Sequence, residues 1–292
     1  MGCGLIDRVF TYGRMIKFSH SIFALPFALS AVILAMRYHQ VNITDILWIL
    51  IAVIGARSSA MGFNRIADAG LDAMNNRTSK RAIPSGKLSL TSAKIFVIIS
   101  SCIFIFAAAM LGSLCFYLSF PVLVMLFFYS YTKRFTCFSH IYLGFVISLA
   151  PLGTWIALTN SFFWPVLLLS FGLMTYIAGF DILYACQDID FDKKEGLFSI
   201  PARLGVKRAL LISSILHVLS FMFFFSIYIA FDMNSIYLYA VVIIGILFIV
   251  EHRLVNPFDL SRVNVAFFHV NSIISITLFA GILADELVRR WM

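Results

Sequence analysis

Charge is scarce in this chain. Asp, Glu, Lys and Arg make up only 12% of its 292 residues, hydrophobic residues make up 61%, and the mean hydropathy is +0.96. A water-soluble domain with so little polar surface could not stay dispersed. Cysteine is also sparse: Cys3, Cys102, Cys115, Cys137 and Cys186 are odd in number, scattered and mostly inside apolar stretches. That pattern suggests neither a disulfide framework nor a zinc site and leaves them as small buried hydrophobes. A cleavable leader is not expected, because the first apolar run is too long and no small-residue cleavage site follows it. Met1-Gly2-Cys3 has Ile6 where a myristoylation signal needs Ser or Thr, so no lipid anchor is expected there. Low-complexity tracts are lacking too, and 1–292 reads as a single domain.

What the chain has instead is a series of apolar runs, each long enough to cross a hydrocarbon core of roughly 30 Å as a helix. The runs are 18 to 36, 43 to 62, 93 to 111, 114 to 131, 141 to 159, 162 to 185, 209 to 230, 235 to 250 and 267 to 287. They predict an all-α polytopic membrane protein of about nine helices. The net charge of +8 could suggest nucleic acid, but the placement of the 22 Lys and Arg argues against it. All except Arg37, Arg57, Arg289 and Arg290 fall on the side of the N-terminus and of the loops after the second, fourth, sixth and eighth runs. By the positive-inside rule that side is cytoplasmic, N-terminus included.

Two cytoplasmic connections are long, about 63 to 92 and about 186 to 208. Each opens with acidic residues, continues with basic ones and ends near a Pro and a Gly, Pro84-Ser85-Gly86 in one and Pro201 with Gly205 in the other. This resembles a weak internal repeat of four helices plus a loop. Asn64, Asp68 and Asp72 are spaced four apart, which places all three on one face of a helix. Carboxylates stacked in this way repel one another. A cation must compensate, and Mg²⁺ is a natural candidate because it takes one or two carboxylates together with phosphate oxygens and water. Asp181, Tyr184, Asp188 and Asp192 repeat the pattern on one face if the sixth helix continues into the loop, with Asp190 turned to solvent. Seven of the 14 acidic residues, Asp68, Asp72, Asp181, Asp188, Asp190, Asp192 and Glu195, lie in these two segments.

A single acidic residue at a helix end can serve merely to solvate the interface. Two stacked clusters beside hydrocarbon are costly and read as functional. Cations stand next to them: Arg77, Lys80 and Arg81 after Asp72, Lys193 and Lys194 after Asp192, and Lys133 with Arg134 at the end of the fourth run. A diphosphate needs both metal ions and Arg or Lys to hold it, although loop topology alone also puts basic residues here.

The run from Asn64 through Asp68 to Asp72, followed by Arg77-Thr78 and Arg81, resembles the first signature (NxxxDxxxD, then RTxxR) of the UbiA superfamily of intramembrane prenyltransferases. Asp181 through Tyr184 and Asp188 to Asp192 resembles the second (DxxYxxxDxxxD), and Tyr129 and Lys133 match the family's tyrosine and lysine at the end of helix 4. The resemblance covers nearly the whole chain, and the paired motifs are highly specific together. It implies helices around a central cavity with the active site at the cytoplasmic side. It implies Asp68, Asp72, Asp188 and Asp192 as catalytic magnesium-diphosphate ligands. Asn64, Arg77, Arg81, Tyr129, Lys133, Asp181 and Tyr184 are the implied substrate contacts.

Lys17 through Phe27, with Arg57-Ser58-Ser59-Ala60-Met61, looks most like bacterial 4-hydroxybenzoate polyprenyltransferases, including a futalosine-route menaquinone subgroup. Two departures are Arg65, where many such enzymes have Asp, and Ala82, where the family often has Pro. The implied activity is Mg²⁺-dependent transfer from a polyprenyl diphosphate to an aromatic acceptor, with 4-hydroxybenzoate or a related carboxylated aromatic first, in ubiquinone or menaquinone biosynthesis at a bacterial inner membrane. Haem, chlorophyll and tocopherol branches are alternatives, as is a membrane transporter. A transporter, however, would place broken helices and charge near the bilayer midplane. Arg57, seven residues before Asn64, could bind an acceptor carboxylate or tie two helices through a backbone carbonyl. His20, His39, His140, His217, His252 and His269 show no ligand spacing and are expected to be structural or interfacial.

Overall fold

The computed structural model describes residues 5–255, 257, 260 and 262–291, so Met1-Gly2-Cys3 lies outside them. No strand occurs among the described residues. In chain order the helices are α1 Leu5–Met15, α2 Leu25–Ala35, α3 Ile43–Ala67, α4 Ala69–Met74, α5 Leu90–Leu111, α6 Ser113–Thr132, α7 Ser139–Thr159, α8 Val166–Ala185, α9 Ile189–Lys194, α10 Ile200–Leu204, α11 Val206–Ala230, α12 Ser235–Leu254 and α13 Asn271–Trp291. A hydrocarbon core offers backbone groups no water, so each crossing must satisfy its own hydrogen bonds, and helices do this.

Among the described residues, eight helical stretches are long and apolar enough to cross a membrane, one fewer than the nine expected. The difference lies in the run 18 to 36. It divides into a 3₁₀ turn at Phe18–Phe23 and the 11-residue α2, which spans about 16 Å and cannot cross alone. Pro26, in the first turn of α2, has no N–H to donate back to Ile22, whose carbonyl accepts from Ser275 Oγ at 2.7 Å instead, so an α-helix starts here rather than running through from residue 18. The all-helical polytopic reading stands. The two long loops are also more helical than expected. α3 runs on to Ala67 and is followed by α4, and a 3₁₀ turn at Cys186–Asp188 leads from α8 into α9.

The chain forms two compact units, Met1–Ser21 with Leu47–Tyr131, and Ile22–Ile46 with Thr132–Met292. In the first, Tyr12 stacks on Phe96 at 5.0 Å and Phe63 on Phe127 at 4.4 Å, tying α1 to α5 and α3 to α6. Met15, Ile16 and Ala93 are buried there, with Met61 and Ile66 packed against them. The outward Ile95, Ile98, Ile99 and Ile103 of α5 give the surface that lipid requires.

In the second unit α8 packs along α7 and α11, around a core that includes Phe27, Tyr176, Phe224 and Tyr237. In the apolar 18-residue part of Val166–Lys194, 72% of the residues are buried, against 17–50% in the other seven crossing helices. The second acidic segment therefore extends from the most enclosed helix. α10 starts at Ser199, whose hydroxyl accepts from Ala202 N–H, and ends at Gly205, whose φ of +79° turns the chain into α11. α7 and α8 approach closely at Gly144, where a Cβ would stand 2.2 Å from the Met174 carbonyl oxygen.

Gly144→Val is expected to lower stability by about 1–3 kcal/mol through overpacking of this helix pair. The measurement is the thermal unfolding midpoint in detergent, and an unchanged midpoint would contradict the packing described.

Candidate active site

Asp68 lies between α3 and α4 with φ −96° and ψ 5°, so the first acidic row does not sit on one uninterrupted helix. The register nevertheless survives the break. Asp68 N–H donates to Asn64 O at 2.9 Å and Asp72 N–H to Asp68 O at 2.8 Å, the helical i to i−4 pattern. Asn64 Nδ2 donates to Asp68 Oδ2 at 3.2 Å. Asp68 and Asp72 are both buried.

Arg81 Nη1 bridges both oxygens of Asp72, at 2.7 and 2.8 Å, and Arg65 Nη1 lies 3.9 Å from Asp72 Oδ2. Thr78 Oγ1 donates to the Asp72 carbonyl at 3.1 Å, folding the chain back so that Arg81 reaches its partner. Arg77 is exposed, and its backbone N–H donates to Asn75 Oδ1 at 2.9 Å. Tyr129 is half-buried on α6.

Arg57 Nη2 donates to the Lys17 carbonyl at 3.3 Å, which is the helix-tying role expected as one alternative. Its Nε is buried and makes no hydrogen bond, so part of the guanidinium remains uncommitted. Lys17 has φ +47°, and the same carbonyl accepts from His20 N–H at 2.9 Å. Burial first, and then the charges of Lys17, Arg57 and Arg65, push the His20 imidazole down from its usual 6.5 to about 3.

In the second unit the helix continues past α8 as required, though through a 3₁₀ turn. Asp188 stands at the N-cap position of α9 with no side-chain capping bond, and Asp192 is buried within that helix. Ser199 Oγ donates to Asp192 Oδ2 at 2.6 Å. Lys133 is placed by its own carbonyl, which accepts from Phe198 N–H at 2.7 Å. Tyr184 packs against Phe267 at 4.1 Å between centroids, and Asp190 is exposed as expected.

Asp181, on α8, pairs with His140 Nδ1 of α7 at 2.7 Å. Sequence reading missed this contact because the two residues lie on different helices with no motif joining them. It also missed the contact of Arg65 with Asp72. There the signal was present as a buried-looking cation seven residues before an aspartate.

Among the described residues no three His, Cys, Asp or Glu side chains converge to make a cage for a metal. The donor chemistry fits magnesium all the same. Mg²⁺ binds through one or two carboxylates plus substrate phosphates rather than in an all-protein cage, and each unit presents aspartates steadied by hydrogen bonds.

Eight apolar crossing helices with ionisable residues near their ends define an integral membrane protein. Residues 24–273 match the UbiA prenyltransferase family, and the chain belongs to it. Curated relatives include 4-hydroxybenzoate octaprenyltransferases of Vibrio atlanticus, 25% identical over 72% of this chain and 74% of theirs, and of Psychromonas ingrahamii, 27% identical over 77% and 78%. Among solved structures, a UbiA homologue from Aeropyrum pernix is 32% identical over 91% of this chain and 98% of its own, with a TM-score of 0.83. One from Archaeoglobus fulgidus, bound to DMAPP and Mg²⁺, is 16% identical over 95% and 99%, with a TM-score of 0.74, and shares the fold.

The depressed His20 value has a consequence for stability. The folded state keeps His20 neutral while the unfolded chain takes up a proton below about pH 6.5, so stability falls as pH drops from 6.5 toward 3. Thermal midpoints in detergent between pH 7 and pH 5 should decline, and His20→Gln should flatten that slope. An identical slope in the variant would contradict the placement.

Proposed function

We propose that this chain transfers a polyprenyl group from a polyprenyl diphosphate to 4-hydroxybenzoate or a related carboxylated aromatic, in ubiquinone or menaquinone biosynthesis. The whole of 1–292 acts as one prenyltransferase domain in a bacterial cytoplasmic membrane, with its N-terminus on the cytoplasmic side. The observation that carries this reading is that the aspartate rows of the family signatures are built and supported: Asp72 by Arg81 and Arg65, and Asp192 by Ser199. The names of the curated relatives and the Mg²⁺-bound structure of a homologue support the choice of chemistry.

Asp68, Asp72, Asp188 and Asp192 are the proposed magnesium ligands. When bound, magnesium supplies positive charge that favours departure of the diphosphate. The protein adds cations of its own. Lys133 and Arg77 are the proposed contacts to phosphate oxygens, joined by Arg81 from its place on Asp72. Asn64, through its bond to Asp68, keeps that carboxylate in one rotamer. Tyr129 and Tyr184 offer π faces that can shield charge developing at the first allylic carbon, an effect of about 1–2 kcal/mol in a desolvated site. Arg57, with Nε unpaired, is the proposed partner of the acceptor carboxylate. The hydrocarbon tail lies among apolar helices.

Purified protein incubated with labelled prenyl diphosphates and a panel of aromatic acids should form a prenylated acid only when Mg²⁺ is present. The variant carrying both Asp68→Asn and Asp188→Asn should lose at least about 100-fold in turnover while retaining its unfolding midpoint. Turnover retained in that folded variant, or turnover without divalent metal, would overturn the assignment.

A further inference from the structure

The acidic residues of the second segment are not held alike. Asp192 is held by a hydroxyl, from Ser199. Asp181 is held by an imidazole, with His140 Nδ1 at 2.7 Å from Oδ2. A carboxylate accepts, so Nδ1 carries the proton in this bond. Oδ2 is thereby committed, while Oδ1 makes no hydrogen bond among the described residues and the side chain is 19% exposed. His140 is 5% exposed, and its Nε2 is buried with no hydrogen-bond partner. The ring therefore has Asp181 as its one hydrogen-bonded partner. The pair sits beside a close approach of α7 and α8: Gly144, one turn from His140, lets the Met174 carbonyl come within a distance no side chain would allow.

A polar pair between membrane helices can be a simple tie of about 0.6 kcal/mol. Two features exceed what a tie needs. A tie is complete when both partners are satisfied, yet this one leaves a carboxylate oxygen open and partly accessible. The helix that carries Asp181 also continues through the 3₁₀ turn into α9 with Asp188 and Asp192, so the pair stands on the element that leads to the proposed magnesium ligands.

We propose that His140 is a positioning residue, which fixes the Asp181 carboxylate so that Oδ1 receives a hydrogen-bond donor of the bound acceptor, namely its ring hydroxyl. This rests on the prenyl-transfer reading above. With Nδ1–H donating to Oδ2, the carboxylate is held as an acceptor only, so the group it recognises must donate. A phenolic hydroxyl does so, and a methyl ether or an unsubstituted ring does not. The pairing thus makes acceptor selection, rather than diphosphate binding, the property that His140 controls. A site built to hydrogen-bond a hydroxyl discriminates strongly against analogues lacking it.

The test uses full-length protein in detergent with Mg²⁺, geranyl diphosphate, and either 4-hydroxybenzoate or 4-methoxybenzoate. His140→Leu should raise KM for 4-hydroxybenzoate by at least about tenfold, a loss of roughly 1.4 kcal/mol, with KM for geranyl diphosphate unchanged. His140→Gln, whose amide N–H can still donate to Asp181, should recover part of the loss. In an Asp181→Ala background His140→Leu should have no further effect, because its partner is gone. Wild-type preference for 4-hydroxybenzoate over 4-methoxybenzoate should shrink in His140→Leu.

Equal KM changes for both substrates, additive losses in the double variant, or unchanged acceptor preference would overturn the proposal. If His140→Leu fails to fold, the glutamine variant and the Asp181→Ala background decide between the same outcomes. Absence of prenyl transfer by the wild-type protein would instead refute the functional reading on which the proposal stands.

Discussion

Carboxylates beside hydrocarbon have to be held, and the partners that hold them are what the rest of this structure is arranged to supply. An unpaired charge at the end of an apolar helix is costly, and an aspartate can wait for a cation only if protein dipoles or charges steady it meanwhile. Asp72 is steadied by Arg81 and, more distantly, by Arg65. Asp192 has Ser199 and Asp181 has His140. These partners differ in a useful way. Guanidinium is a charged planar donor, a hydroxyl a neutral one, and imidazole donates through a ring N–H, so three aspartates of one chemical type meet three different partners.

The helical framework follows from the same economy of polar groups. Long helices satisfy their own backbone within lipid, and interruptions fall where polar side chains or turns take over. The break at Asp68 keeps its i to i−4 bonds, so two short helices maintain the spacing of one long one. The turn at Cys186–Asp188 likewise lets α8 deliver Asp188 and Asp192 beyond the apolar stretch. Close packing at Gly144 brings α7 near enough for His140 to reach across.

Much of this was legible from residue order. Apolar run length located the crossing helices, and four-residue spacing located the acidic rows, because both reflect local helical geometry. The reading fell short where local and distant information diverge. The run 18 to 36 is apolar enough to cross, yet Pro26 divides it, since hydropathy sums are blind to backbone restriction. Arg65 looked like a departure from a motif, but it is a buried cation that reaches Met15 O and Asp72. His140 lies 41 positions from Asp181, and only tertiary packing joins them. Arg57 stood open between two roles. It takes up the backbone carbonyl of Lys17 while keeping Nε unpaired, which periodicity could not resolve.

The central claim, proposed above, is that the supported aspartates Asp72 and Asp192 each serve divalent-metal-dependent binding of a prenyl diphosphate. Equilibrium binding of a non-reacting geranyl thiolodiphosphate to the purified protein tests it without turnover. The account predicts binding that requires Mg²⁺ and weakens at least about tenfold on changing either Asp72 or Asp192 to Asn, a loss of about 1.4 kcal/mol or more. Binding of equal strength in the presence of a chelator, or in both variants, would contradict it.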